Sequence, residues 1–259
     1  MKIFVASPGR SGTRFFANVF RQLTDIPSFH EEWPKCINIV NEDINNHDGI
    51  IHEKTRKILE LKIQDIENKS KDGNYFEANH MFIKAFVSEV VHAFRDDVFC
   101  IYIERDMASY LMSYTQKGKR TNFATDFQLQ PHWRGNCLRS NDVYPFYPLV
   151  SWNWWEVRAR FQAWKTLFEN RWYHFPFSKI NDQNEWKKLF DKIGIDAKPF
   201  SSIPPEMDKH SSNIQESMRA RILKHLKDEW ETMGKFMYPT DFQKLGIDKT
   251  PETEVHYEL

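Results

Sequence analysis

Lys2-Ile3-Phe4-Val5-Ala6-Ser7-Pro8-Gly9-Arg10-Ser11-Gly12-Thr13-Arg14-Phe15-Phe16 reads as a strand, a glycine loop and the start of a helix. The apolar run 2–6 has strand length and stops at Pro8-Gly9. Phe15, Phe16, Val19, Phe20 and Leu23 then recur at helical spacing, which predicts a helix over 12–24. A glycine loop opening a helix brings free N–H groups and a positive dipole end to one place, a cradle for a phosphate-like anion. Arg10, Ser11 and Thr13 add charge and hydroxyl donors. A plain tight turn feeding a core helix is the competing reading. The loop is not a Walker A loop, which requires G-x4-G-K-[ST]. Gly9 and Gly12 stand too close together, and no Lys-Ser/Thr pair follows them.

Outward from this stretch, strands and helices alternate. Strands are predicted at 28–30, 75–78, 98–104 and 172–177. Helices are predicted at 51–68, 82–95, 108–116, 151–170, 183–193 and 214–234. Val98-Phe99-Cys100-Ile101-Tyr102-Ile103-Glu104 is the clearest strand, and its unbroken apolar character suits a central parallel position. The alternation implies an α/β fold, an open and mainly parallel sheet flanked by helices in three layers. No repeat or composition shift divides the chain, so residues 1–259 are read as one domain. Residues 117–150 lack periodicity and form an aromatic-rich insertion, the expected lid or binding element. The tail 239–259 is expected to be poorly ordered.

The chain has 259 residues, 41% of them hydrophobic, with 36 Lys+Arg against 36 Asp+Glu. That composition excludes a disordered or low-complexity protein. Zero net charge argues against a nucleic-acid binder. Cys36, Cys100 and Cys137 are too few and scattered for a disulfide framework, so reduced thiols and a cytoplasmic location are expected. No apolar run reaches the ~18 residues of a membrane span, and the first residues lack the pattern of a signal peptide.

A second anion element follows the 98–104 strand. Arg105 stands at its end, where an open α/β sheet binds its ligand, and Ser113 lies in the next helix. Arg offers a bidentate fork to a phosphate and Ser a hydroxyl. The two elements together can grip two phosphates of one ligand. In this the chain resembles the sulfotransferase family. Its 5′-phosphosulfate loop reads (K/R)-S-G-T-T, matched here by Arg10-Ser11-Gly12-Thr13-Arg14. Its 3′-phosphate element has an Arg at a strand end and a Ser eight residues on, followed by Tyr, as do Arg105, Ser113 and Tyr114. The resemblance implies transfer of a sulfuryl group from 3′-phosphoadenosine 5′-phosphosulfate (PAPS) to a hydroxyl or amine, with 3′,5′-adenosine diphosphate (PAP) as product and no metal required. It also implies a small-molecule, carbohydrate or peptide acceptor. Phe15 occupies the place of a Trp that stacks on adenine in cytosolic members. Arg14 replaces the usual second Thr. The C-terminal R-K-G triplet is absent, and Lys209 or Lys117-Gly118-Lys119-Arg120 is the candidate replacement at the 3′-phosphate. A nucleotide kinase and a nucleotide-binding protein without turnover are the alternatives.

Transfer to a hydroxyl needs a base within hydrogen-bond reach of the acceptor. Glu31 lies 21 residues after Arg10, as the acidic base does in the resembling tyrosylprotein sulfotransferases, and is the first candidate. His80 follows the 75–78 strand, where cytosolic members place a His in K-T-H, and is the second; here Ala78-Asn79-His80 stands, so the preceding Lys is missing. The competing readings are a solvated Glu and a core-packed His. Lys84 is a possible leaving-group cation whose place in a helix stripe reads as surface. His132, Trp133, Arg134, Arg139, Tyr144, Tyr147, Trp152, Trp154 and Trp155 are the pool from which acceptor contacts are expected, with core packing the competing role for Trp152 and Trp155.

Overall fold

A computed structural model describes residues 1–36, 52–117, 129–132, 136–141 and 146–199. Five strands form one parallel sheet: β1 (Lys2–Ala6), β2 (Ser28–His30), β3 (Tyr75–Ala78), β4 (Val98–Glu104) and β5 (Trp172–Pro176). Their order is β2-β3-β1-β4-β5. β1 is therefore the middle strand, and β4, expected to be central, lies between β1 and β5. The helices are α1 (Thr13–Leu23), α2 (Glu53–Lys69), α3 (Val87–Phe94), α4 (Met107–Lys117), α5 (Phe146–Phe168) and α6 (Gln183–Ile193). This is the α/β architecture that the alternation predicts.

Period-two alternation sends successive strand residues to opposite faces. On one face Ile3, Val5, Phe76, Ala78, Phe99, Ile101 and Phe175 meet α1 and α6. On the other, Phe4, Tyr75, Val98, Cys100 and Tyr102 meet α2, α3 and α5. The chain leaves β1 toward β3 and β2, then returns to place β4 on the other side. The strand order reverses between β1 and β4, and it is beyond the carboxyl ends at such a point that open α/β sheets bind ligands.

Three boundaries differ from the sequence reading. Residues 82–95 split into a π-helical turn, Phe82–Phe86, followed by α3. The opened carbonyls of Ile83 and Lys84 accept hydrogen bonds from Arg160 Nη1, at 3.5 and 2.9 Å, so a distant side chain stabilises the bulge. α5 begins at Phe146 rather than 151, because Pro148 sits in its first turn, where proline is tolerated. It ends at Phe168, two residues early. The expected helix at 214–234 and the tail lie outside the described residues.

The described parts of the insertion are pinned to α5. Glu156 accepts from the amides of Cys137 and Leu138 at 3.0 and 2.7 Å. Trp152 Nε1 donates to Leu138 O, and Asn153 bonds both the N–H and the C=O of Leu129. These are side-chain to backbone bonds.

Candidate active site

The loop after β1 is shaped by its glycines. Gly9 and Gly12 both lie in the left-handed region, at φ 94° and 75°. A Cβ on Gly12 would stand 2.8 Å from Ile180 Cδ1 and at a φ that L side chains rarely adopt, so a larger residue would force both a shift and strain. Arg10 takes φ 51° without being glycine, a strained position that needs a surrounding structure to hold it. Ser11 is buried and its hydroxyl donates to Gly9 O at 2.8 Å; Gly9 N donates to Ser7 Oγ at 3.2 Å. α1 starts from Gly12 with no side-chain cap and no acidic residue in its first turn. Its leading amides and dipole are therefore arranged toward an anion. Thr13 Oγ1 lies 3.1 Å from His30 Nε2.

Residues 103 apart in sequence meet at the second element. Arg10 Nε donates to Ser113 Oγ at 3.1 Å, and Arg105 Nη1 donates to the carbonyl of Arg10. The Arg105 guanidinium also lies over the Phe177 ring, 4.6 Å from its centre. Arg105 is 6% exposed, and its Nε has no hydrogen-bond partner among the described residues. A buried donor without a partner costs on the order of 1–3 kcal/mol, so this nitrogen has an unmet capacity to donate. Burial, with the charge of Arg10 beside it and Asp106 opposing, lowers the Arg105 pKa to about 10. Tyr114, next to Ser113, packs against the loop, its hydroxyl 3.1 Å from where a Cβ on Gly9 would sit.

The two expected bases form a pair. His80 Nδ1 and Glu31 Oε1 are 2.7 Å apart, and the same carboxylate oxygen lies 3.7 Å from His30 Nε2. Glu31 follows the last residue of β2 and His80 comes two residues after β3, strands that pair in parallel, and Glu31 N bonds Ala78 O at 3.3 Å. Glu31, like Arg10, holds a left-handed φ of 51°. Burial pushes its carboxyl up, but the hydrogen bond and charge of His80, with His30 and Lys35, outweigh it and hold the pKa at about 2. Burial lowers the His30 pKa, with Arg14 and His80 adding to that effect and Glu31 opposing it. His80 Cδ2 lies 3.6 Å from a Cβ position on Gly9, so the pair abuts the anion loop.

Lys84 corrects the sequence reading. It is 1% exposed rather than surface, and its Nζ donates to Pro8 O at 3.2 Å, beneath the anion loop. Burial, then the Arg160 charge, lowers its pKa to about 7, with Glu31 opposing. The π-turn rotates the side chain away from the face that 3.6-residue spacing assigns. A signal was present: Lys84 is the one charge in Met81-Phe82-Ile83-Lys84-Ala85-Phe86-Val87. His30, next in chain to Glu31, joins the pair, a neighbour to which the sequence reading assigns no role.

Phe15 is buried on the α1–α6 side of the sheet, its ring 6.1 Å from that of Trp186. The helical stripe that contains it is a core stripe. The ring that does border the site is Phe177, just past β5. Trp152, Trp154 and Trp155 are buried as packing residues, while Arg139 is exposed and bonds His132 O. Lys209, Lys119, Arg120, Trp133, Arg134 and Tyr144 lie outside the described residues, as do the side chains of Lys117 and Tyr147, while Arg14 is exposed on the first turn of α1 with its charge acting on His30.

No protein-family model matches the sequence, and no curated protein matches it. Among solved structures, the chain is similar to a sulfotransferase from Alicyclobacillus acidocaldarius, with 10% identity and a TM-score of 0.47 over 89% of this chain and 93% of that one. It is similar to the sulfotransferase domain from the curacin biosynthetic pathway, with 13% identity and a TM-score of 0.44 over 96% and 98%. It is likewise similar to the sulfotransferase domain from the Synechococcus PCC 7002 olefin synthase, with 12% identity and a TM-score of 0.47 over 95% and 92%.

Proposed function

We propose that the protein is a sulfotransferase that moves a sulfuryl group from PAPS to the hydroxyl of a small-molecule, carbohydrate or peptide acceptor. One observation carries this reading. The glycine loop with Arg10 and the strand-end pair Arg105–Ser113 converge at the carboxyl ends of β1 and β4, with the Glu31–His80 pair against the same loop. Two anion elements beside a base are what PAPS chemistry asks for, since the donor carries a 5′-phosphosulfate and a separate 3′-phosphate. The orphaned Nε of Arg105 fits an added phosphate oxygen.

In this reading, Arg105 and Ser113 hold the 3′-phosphate. The amides at the start of α1, with Arg10 and Thr13, hold the phosphosulfate. The acceptor oxygen attacks sulfur in line; the new S–O bond forms as the bond to the 5′-phosphate oxygen breaks, and PAP leaves. Cationic groups and helix amides offset the charge that develops on the leaving phosphate. The acceptor proton passes to His80 Nε2. Glu31, the first candidate base on sequence, is instead the orienting group. A carboxylate held at about 2 is a weak base at neutral pH, and its bond to Nδ1 fixes the tautomer that leaves Nε2 as proton acceptor. The three free thiols suit a reducing cytoplasm.

Calorimetric titration with PAP and with 5′-ADP, both without metal, tests the reading. PAP is expected to bind at least tenfold more tightly, about 1.4 kcal/mol, and Arg105→Ala is expected to erase that preference. Equal affinities would remove the 3′-phosphate site and return the kinase alternative, to be tested with magnesium added.

A further inference from the structure

Glu77 is a lone acid in an otherwise apolar strand, and it is completely buried together with Lys62 of α2. Its carboxylate is saturated by donors. Oε1 accepts from Lys62 Nζ at 2.8 Å, Asn79 Nδ2 at 2.9 Å and the Glu32 amide at 3.1 Å, while Oε2 accepts from Tyr75 Oη at 2.8 Å. Lys62 Nζ donates also to Glu32 O at 3.1 Å. Both polar ends of residue 32, next in chain to Glu31, are thus gripped. Asn79, next in chain to His80, is gripped by the same oxygen and in turn accepts from Met81 N at 2.9 Å.

We propose that Glu77 and Lys62 are positioning residues: one buried carboxylate, backed by one buried ammonium, holds the Glu32 and Asn79 segments so that Glu31 and His80 meet in bonding register. The assignment of that register to catalysis rests on the sulfotransferase reading above. A buried ion pair gains little over an apolar pair of the same volume, so stability alone does not call for it. Strain, by contrast, needs a restraint. Glu31 stands at φ 51°, and a non-glycine residue keeps such a conformation only where its neighbours are over-determined. The bonds to both ends of residue 32 supply that restraint. Burial beside Glu77 also pushes the Tyr75 hydroxyl far above its ordinary value, which keeps it a donor to the carboxylate. α2 is otherwise a charged helix with few buried side chains; Lys62 is its buried link to the site, and Lys69 Nζ reaches the Glu32 carboxylate at 3.2 Å from the half-exposed end.

Removing one charge alone would strand the other, so the test uses pairs. Lys62→Met/Glu77→Leu is expected to fold cooperatively, with PAP affinity within twofold of the wild type. Its kcat is expected to fall roughly 10- to 100-fold with KM for PAPS unchanged, the scale of a misplaced catalytic group. Lys62→Met/Glu77→Gln, whose amide oxygen can still accept from the Glu32 N–H, is expected to recover part of that loss. A readout independent of turnover is carboxyl NMR of Glu31, assigned with Glu31→Gln. Glu31 is expected to titrate near 2 in the wild type and near the ordinary 4.5 in the Met/Leu variant. Wild-type kcat and an unmoved Glu31 titration in a folded Met/Leu variant would overturn the proposal. Failure of that variant to fold would also overturn it, by making the pair a structural one. If no protein transfers sulfuryl groups but the Glu31 titration still moves, the positioning role stands and the enzymatic reading falls.

Discussion

The two faces of the sheet are built from the same strands and yet are chemically opposite. Against α1 and α6 lies a dry aromatic layer. Phe16, Phe175 and Trp186 meet with ring centres 4.5 to 4.9 Å apart, and Phe20 stacks on Phe76 at 3.8 Å. Against α2, the π-turn, α3 and α5, the apolar cluster is threaded with buried charges: Lys62, Glu77, Lys84, Glu156 and Arg160. A buried charge is costly unless it is paired. These are held by partners that lead to the site: Glu77 to the Glu31–His80 pair, Lys84 to Pro8, and Arg160 to the π-turn. The first face supplies burial; the second holds the groups of the candidate site at fixed separations.

Three substitutions sharpen that division. Phe20→Ala, on the dry face, is expected to cost about 3–5 kcal/mol in urea unfolding, as other large-to-small core changes do, and to leave PAP affinity of the folded protein unchanged. A concurrent loss of binding would break the division between faces. Lys84→Met, on the charged face, is expected to do the reverse. The folded-state pKa of Lys84 is lowered to about 7 from 10.5, so the unfolded chain binds more protons between those values and stability rises with pH across that window. Methionine removes the penalty, so the thermal midpoint should rise by roughly 2–5 °C at pH 7. That gain should shrink as pH approaches 10.5, while PAP affinity falls because Pro8 loses its donor. The smallest effect is expected from Glu31→Gln. The Glu31 carboxyl is depressed from 4.5 to about 2, so its contribution is full above about pH 4.5 and is lost as pH falls toward 2. Urea midpoints at pH 6 and pH 3 should differ less in Glu31→Gln than in the wild type. An equal difference in both would mean that the His80 bond adds nothing to stability.

Much of the architecture could be read from local pattern. The strand, glycine loop and helix at 2–23, the apolar β4 run, and α6 with Asp182 capping its start and Gly194 at its end are local signals, each enforced by neighbouring residues. Arg105 and Ser113 were legible for the same reason: a strand end and the next helix set their separation. Lys84 was not. Helical periodicity places a side chain on a face, but a π-turn shifts the phase of that rule, and only the packed sheet tells which side of α1 is covered. The start of α5 was missed because proline reads as a loop residue until its position within the first helical turn is known.

By itself, then, the sequence determined the order and type of elements and the two segments proposed to bind anions, because those depend on φ/ψ preference and spacing along the chain. The tertiary structure decided which of the candidates touch. Glu31 and His80 are 49 residues apart, and Arg10 and Ser113 are 103 apart. Each pair meets only because parallel strands in the order β2-β3-β1-β4-β5 bring their carboxyl ends to one edge. That order is set by which side of β1 the chain returns to, a long-range choice made by burial of whole faces and not by any local run of residues.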